Sequence, residues 1–135
     1  MFKKSQEELK ALGAHITTAE IKQQPELWES TFGIYQENLS AIKEFVERAH
    51  NLGESRRTRV VFTGAGTSAY VGDTIAPYLR AHGEKGSFEF ASVATTDIVS
   101  DPYGSLDPDD PTVLVSFARS GNSPESLAAV NIARK

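Results

Sequence analysis

The chain has 135 residues, enough for one domain with a real core but not comfortably two. It contains no cysteine, which excludes disulfides and thiolate metal sites. Its net charge of -4, without a block of basic residues, argues against nucleic-acid binding, and no apolar run approaches the ~18 residues of a membrane span. A small anion is still compatible with this charge, because backbone N–H groups and hydroxyls can bind it locally. The N-terminus lacks the apolar core of a signal peptide, so we expect a cytoplasmic location.

Residues 1–55 are predicted to form a helical N-terminal extension. Thr17 and Glu20 have the three-residue spacing of a capping box. A longer helix is predicted from about Glu26 to His50, because seven residues recur three or four positions apart and therefore share one helical face. These residues are Trp28, Thr31, Tyr35, Leu39, Ile42, Val46 and Ala49.

Residues 56–135 show a different pattern, in which short β-branched and aromatic runs alternate with helical segments. We expect Gly83 to end the helix after the first strand with a positive φ, Thr95-Thr96-Asp97 to cap a short helix at Ile98, and exposed turns from Asp101 to Pro111. The order predicts a parallel sheet with right-handed crossovers, hence an α/β three-layer fold. Strands are predicted at 59–63, 88–93 and 112–117, and the longer helices at 69–82 and from Ser123 onward.

Two glycine-containing loops each follow a predicted strand and precede a helix. The first is Thr63-Gly64-Ala65-Gly66-Thr67-Ser68, and the second runs from Ser116 to Glu125. Helix starts attract anions through free N–H groups and the helix dipole, and both loops should lie at the carboxyl edge of the sheet. The sequence therefore predicts that both loops bind one phosphate group. The candidate binding residues are Gly66, Thr67, Ser68, Arg119, Ser120, Gly121, Asn122 and Ser123.

Each loop also has a purely structural interpretation as a tight turn with a helix cap. Ser123 has the position of an N-cap, with Pro124 at the first helical position, and Arg119 is equally compatible with a plain surface role. Gly64 to Ala69 also satisfies G-x-G-x-x-A, so a dinucleotide-binding domain is an alternative, with Glu89 as its ribose-binding acid. Against it, Glu89 is expected mid-strand and the second loop has no role. The three histidines are scattered without metal-ligand spacing, so we predict no metal site. We also expect no cofactor.

Three segments resemble the SIS (sugar isomerase) domain family. They are Phe62 to Ala69, Ala94 to Val99, and Val115 to Ser126. The likeness is nearest to the bacterial tagatose-6-phosphate ketose/aldose isomerases, also described as galactosamine-6-phosphate deaminase/isomerases, and it covers nearly the whole chain. It implies a flavodoxin- or Rossmann-like SIS fold, in a protein with two such domains of which this chain holds most of the first.

The resemblance also implies roles for individual residues. Ser68, Ser120 and Ser123 would contact the phosphate of a sugar phosphate, with Thr67 nearer the sugar. The commoner SIS pattern has a serine where Ala118 stands, so Arg119 is expected to substitute for that contact. The family's acid–base residues lie in the second half of the protein. No catalytic residue is therefore assigned here, and we expect the chain to be inactive by itself.

The implied function is a sugar-phosphate isomerase or amino-sugar-phosphate deaminase, acting on tagatose 6-phosphate or galactosamine 6-phosphate as a homo-oligomer. The alternative is a regulatory SIS module that senses a sugar phosphate without turning it over. The last predicted helix has no following strand before Lys135, which favours a domain that continues further; a natural short protein is the other interpretation.

Overall fold

The computed structural model describes residues 2–134, and the chain divides into two compact units, Met1–Glu44 and Phe45–Lys135. Three helices lie in the first unit: α1 (Gln6–Ala11), α2 (His15–Lys22) and α3 (Gln24–Glu37). A fourth, α4 (Leu39–Leu52), begins in the first unit and ends in the second. The boundary drawn from the sequence at residue 55 follows a change of pattern and stays a prediction.

The first unit corrects two expectations about helix ends. The capping box is formed by Ser5 and Glu8, whose side chains and N–H groups bond reciprocally, whereas Thr17 lies inside α2 and caps nothing. The predicted helix from Glu26 to His50 is two helices, broken at Asn38 (φ -101°, ψ 8°). The Asn38 amide Nδ2 donates to the Ile34 carbonyl at 2.8 Å and so competes with the backbone for a helical acceptor. The apolar spacing continues across Asn38 and therefore did not indicate the break.

The second unit contains the predicted parallel sheet. Its strands are β1 (Thr58–Gly64), β2 (Phe88–Ser92) and β3 (Thr112–Phe117), in the order β2-β1-β3. Helix α5 (Ala69–His82) connects β1 to β2. The short helices α6 (Thr95–Ser100) and α7 (Pro102–Ser105) connect β2 to β3, and α8 (Pro124–Ala133) follows β3. The strands and the two longer helices lie where the sequence predicted them.

Helices cover both faces of this sheet. Gly72 of α5 packs against the side chain of Phe62, while the Arg59 guanidinium on the opposite face of β1 donates to the carbonyl of Ser105 in α7 at 2.8 Å. Side chains alternate between faces along a strand, so α5 and α7 lie on opposite sides and the fold is a three-layer α/β sandwich. Val61, Ala76, Ile98 and Ala129 are buried in its core.

Local contacts in the second unit correct three further expectations. Gly83 has φ -76° rather than a positive φ; glycine is needed because a Cβ would lie 2.6 Å from the Leu79 carbonyl oxygen. Thr95 is the first residue of α6, and no side chain caps that helix. The predicted turn region contains α7, whose N-cap is Asp101, with its carboxylate accepting the Gly104 N–H at 3.0 Å.

Candidate functional site

The two glycine-containing loops leave the sheet at the same level. Strands β1 and β3 are neighbours, and their last residues, Gly64 and Phe117, are paired in register. Because the strands are parallel, both carboxyl ends face the same edge, and the loops at 65–68 and 118–123 begin side by side there. The adjacency that the sequence predicted is therefore present.

The first loop turns sharply back on the strand that precedes it. Gly64 has no room for a side chain, since a Cβ would lie 2.5 Å from the carbonyl carbon of Ser68 and 2.8 Å from the nitrogen of Ala69. Gly66 has φ +55°, a left-handed conformation that favours glycine, and it faces open space with no atom within 4 Å of a Cβ. The loop is thus packed tightly on its protein side and open on the other.

Thr67 and Ser68 form the last part of a single 3₁₀ turn (Gly66–Ser68) that leads into α5. Ser68 is the N-cap residue of α5, but its side chain makes no capping bond. Within residues 2–134, neither hydroxyl is engaged in a hydrogen bond with another protein group. Both are therefore available to a ligand at the start of a 14-residue helix.

The second loop uses its hydroxyls differently. Gly121 is left-handed (φ +70°) with open space beside it, and the Ser120 hydroxyl accepts a long bond of 3.4 Å from the Asn122 N–H. Arg119 is exposed and forms no ion pair with any residue in the described part of the chain. Its guanidinium is thus free to meet an anion arriving at the loop.

Ser123 caps α8, as the sequence predicted. Its hydroxyl accepts the Ser126 N–H at 3.3 Å and donates to the Ser126 hydroxyl at 2.7 Å. The Leu127 N–H bonds to the Ser123 carbonyl, and Pro124 has no N–H. Within the described chain this leaves the Glu125 N–H as the unbonded donor of the first turn, at the positive end of a ten-residue helix.

Two side-chain hydrogen bonds and one unpaired hydroxyl near this edge were not identified from the sequence. The Thr95 hydroxyl, completely buried, donates to the Gly64 carbonyl at 3.3 Å. The Thr63 hydroxyl is buried one residue before Gly64 and has no hydrogen-bond partner in the part of the chain that the structure describes. The Ser92 hydroxyl donates to the Asp73 carboxylate at 2.8 Å, so this acid turns toward the end of β2. The contact between Ser126 and Ser123 was also missed, although their three-residue spacing is a local signal for it.

The acid that a dinucleotide site would need lies elsewhere. Glu89 is the second residue of β2, near its amino end, where its carboxylate pairs with the Arg57 guanidinium at 3.6 Å. It lines a groove of about 410 Å³ beside the first residues of β2, together with Arg80, Glu84, Lys85 and Phe88. This groove contains neither glycine loop, so Glu89 does not complete the G-x-G-x-x-A match.

The sheet order and the paired loops define a three-layer α/β domain whose open polar edge is suited to an anion. The SIS domain family matches residues 54–135. The chain belongs to the SIS domain family, as the resemblance of its two loops implied. No helix in the described residues, 2–134, is long and apolar enough to cross a membrane.

Relatives and solved structures agree with the resemblance to tagatose-6-phosphate isomerases and galactosamine-6-phosphate deaminases. The chain is 44% identical over 122 residues to the D-galactosamine-6-phosphate deaminase AgaS of Escherichia coli, covering 88% of this chain and 29% of that protein. It is 38% identical to the AgaS of Shewanella sp. (strain ANA-3), covering 97% of this chain and 33% of that protein. The chain therefore spans about a third of the length of these relatives.

Two solved structures share the fold. One is the tagatose-6-phosphate ketose/aldose isomerase from Escherichia coli, with 44% identity and a TM-score of 0.77 over 87% of this chain and 30% of that one. The other, from Clostridium novyi NT, is a candidate enzyme of the same name, with 42% identity and a TM-score of 0.87 over 99% of this chain and 33% of that one.

Proposed function

We propose that this chain binds the phosphate group of a sugar phosphate between its two glycine loops. The observation that carries the proposal is the register of β1 and β3, because Gly64 and Phe117 end together and bring both loops to one edge. The ligand-facing groups would be the hydroxyls of Thr67, Ser68 and Ser120, with Ser123 and Arg119 at the rim.

The chemistry of these groups suits a phosphate dianion. Hydroxyls and N–H groups donate hydrogen bonds to its oxygens, and the N-terminal ends of α5 and α8 add favourable dipoles from two directions. Left-handed Gly66 and Gly121 together with Asn122 shape the backbone that a phosphate would approach. Because Ser123 already donates to Ser126, its proton would have to be redirected toward the phosphate.

We further propose that the reaction is the isomerisation or deamination of a hexose 6-phosphate, galactosamine 6-phosphate or tagatose 6-phosphate. The relatives named above support this substrate class. Aldose–ketose isomerisation moves a proton between adjacent carbons through an enediol, and needs a general base and a group that stabilises the oxyanion. Deamination of a 2-amino sugar phosphate begins with the same kind of step.

None of the described residues is proposed as that base. Asp73 is held by Ser92, and Glu125 lies in the first turn of α8, where its charge complements the helix dipole. The acid–base residues are therefore expected outside this chain, and the chain alone should not turn over either sugar phosphate. An assay for ammonia release and for ketose formation tests this, and turnover by the isolated chain would contradict it.

Calorimetric titration of the chain with galactosamine 6-phosphate, tagatose 6-phosphate and inorganic phosphate tests the binding proposal directly. The phosphorylated ligands should bind, whereas unphosphorylated galactosamine should not. Ser120→Ala should weaken binding by about 1.5–3 kcal/mol, the range for a hydrogen bond to a charged partner. Ser30→Ala is the matched control, because the Ser30 hydroxyl bonds only to a carbonyl of its own helix. Equal affinity of the phosphorylated and unphosphorylated sugars would overturn the proposal.

The sensing module remains the competing hypothesis for function, and homo-oligomerisation and a cytoplasmic location stay predictions. Binding of a sugar phosphate is common to the enzyme and the sensor, so binding alone does not distinguish them. Turnover by the protein that contains this chain together with its acid–base residues would favour the enzyme, which the names of the relatives also favour.

A further inference from the structure

The hydrogen-bond ladder between β2 and β1 ends with a side chain instead of a backbone group. The Val93 N–H donates to the Phe62 carbonyl at 3.0 Å, as expected of a parallel ladder. Two residues further on, the chain has turned into α6, and the Thr95 hydroxyl donates to the Gly64 carbonyl at 3.3 Å. The hydroxyl thereby replaces the missing N–H at the next step of the ladder.

The acceptor of this bond is the residue on which the first loop is built. Gly64 is buried, and the 3₁₀ turn packs so closely against it that a Cβ would lie 2.5–2.8 Å from backbone atoms of Ser68 and Ala69. A shift of Gly64 would therefore displace the backbone that carries the free hydroxyls of Thr67 and Ser68.

We propose that Thr95 is a positioning residue for phosphate binding, acting through Gly64 on the loop that carries Thr67 and Ser68. The inference rests on the proposed phosphate site, and it assigns a role in that site to a residue that need not touch the ligand. Thr95 is completely buried, and within the described chain its side chain makes one hydrogen bond, which goes to the Gly64 carbonyl. Its hydroxyl keeps the end of β1 in the orientation that aims the loop at the ligand.

Thr95→Val removes the hydroxyl at almost constant shape and leaves the Gly64 carbonyl without this donor. A buried carbonyl that loses its donor is destabilised, and this favours a shift of the end of β1 toward another donor. We expect the affinity for galactosamine 6-phosphate and for inorganic phosphate to fall about three- to tenfold. Thr95→Ser, which keeps the hydroxyl, should bind within about twofold of the unaltered chain.

Thr58→Val is the matched control for lost stability. Thr58 is equally buried, and its hydroxyl also donates to a backbone carbonyl, that of Ala49 at 2.7 Å. It lies at the opposite end of β1, six residues and therefore about 20 Å from Gly64. Both valine variants should melt at lower temperature than the unaltered chain, but only Thr95→Val should lose affinity.

The positioning role is tested by titrating the whole chain with ligand. The temperature is chosen so that melting curves show each variant to be folded. Weaker binding by Thr95→Val, restored in Thr95→Ser and absent in Thr58→Val, supports the positioning role. Unchanged affinity of Thr95→Val, or an equal loss in Thr58→Val, overturns it. If the valine variant does not fold, the serine variant still decides, because a loss of affinity with the hydroxyl retained contradicts the proposal. No phosphate binding by the unaltered chain would instead defeat the proposed function itself.

Discussion

Replacing Gly64 with alanine tests how closely the first loop depends on its contact with β1. The added methyl carbon would lie 2.5 Å from the Ser68 carbonyl carbon, 2.6 Å from its oxygen and 2.8 Å from the Ala69 nitrogen. All three are backbone atoms, so no flexible side chain can move aside. The 3₁₀ turn and the start of α5 must shift away from the strand.

The expected cost follows from the size of this overlap. Inserting one methyl into a well-packed site destabilises by about 1–3 kcal/mol, which lowers the melting temperature of a chain this long by about 3–10 °C. The same shift moves the hydroxyls of Thr67 and Ser68. Because a hydrogen bond to a charged group contributes about 1.5–3 kcal/mol, losing one weakens phosphate binding by about 10- to 150-fold.

Gly33→Ala provides a control of opposite sign. Gly33 lies inside α3, where a Cβ would meet no atom within 4 Å. Alanine there should raise stability by about 0.5–1 kcal/mol, because it favours the helix more than glycine does. Thermal melting and titration with galactosamine 6-phosphate measure both effects. If Gly64→Ala melts and binds like the unaltered chain, the close approach at Gly64 does not hold the loop in place.

Three further substitutions test separate parts of the second unit. Ser123→Ala should lower stability by about 1 kcal/mol through loss of the α8 cap, and an unchanged denaturant midpoint would show that the cap is dispensable. Thr63→Val should raise stability by about 1 kcal/mol, because it removes a buried hydroxyl that lacks a partner in the described chain; destabilisation would show that the hydroxyl is bonded, for example to water. The N–H groups of Ser87 and Gly86 lower the pKa of the Glu84 carboxyl below its ordinary value, so its stabilising contribution is present above that ordinary pKa and is lost as the pH falls through the lowered one. Glu84→Gln should therefore differ from the unaltered chain in urea titrations at pH 7 and converge with it in acid, and a difference independent of pH would contradict this.

The sheet was predictable because its signals are local. The runs around Val61, Phe90 and Val115 are short, apolar and β-branched or aromatic, and each is followed by a turn or a polar segment. The break at Asn38 was not predictable from periodicity, since the apolar spacing continues across a single interrupted residue. Gly83 was correctly placed at a helix end, but the lack of room for a Cβ beside Leu79 and Phe90 is a packing relation that the helix-end pattern does not contain.

For the candidate site, the sequence predicted the two loops but not the hydrogen bonds that their side chains make. The order strand, glycine, hydroxyl, helix identified both loops, because it reports the local requirements of a tight turn and a helix start. It could not tell that Ser123 is engaged by Ser126 while Ser68 makes no capping bond, since that depends on rotamers. The role of Thr95 could not be predicted for another reason, because its acceptor, Gly64, lies 31 residues away along the chain.

The strand order has a consequence for how the chain opens and closes. The first loop extends from the central strand β1, whereas the second extends from β3, which pairs with β1 along one side and is only half-buried. Detachment of β3 would therefore separate the two loops of the proposed phosphate site while β1 and β2 stay paired. A ligand that bridges both loops at 100 times its Kd should make that detachment about 2.7 kcal/mol harder. Amide protons of β3 and α8 should then exchange with solvent about 100-fold more slowly, provided that they exchange through this partial opening.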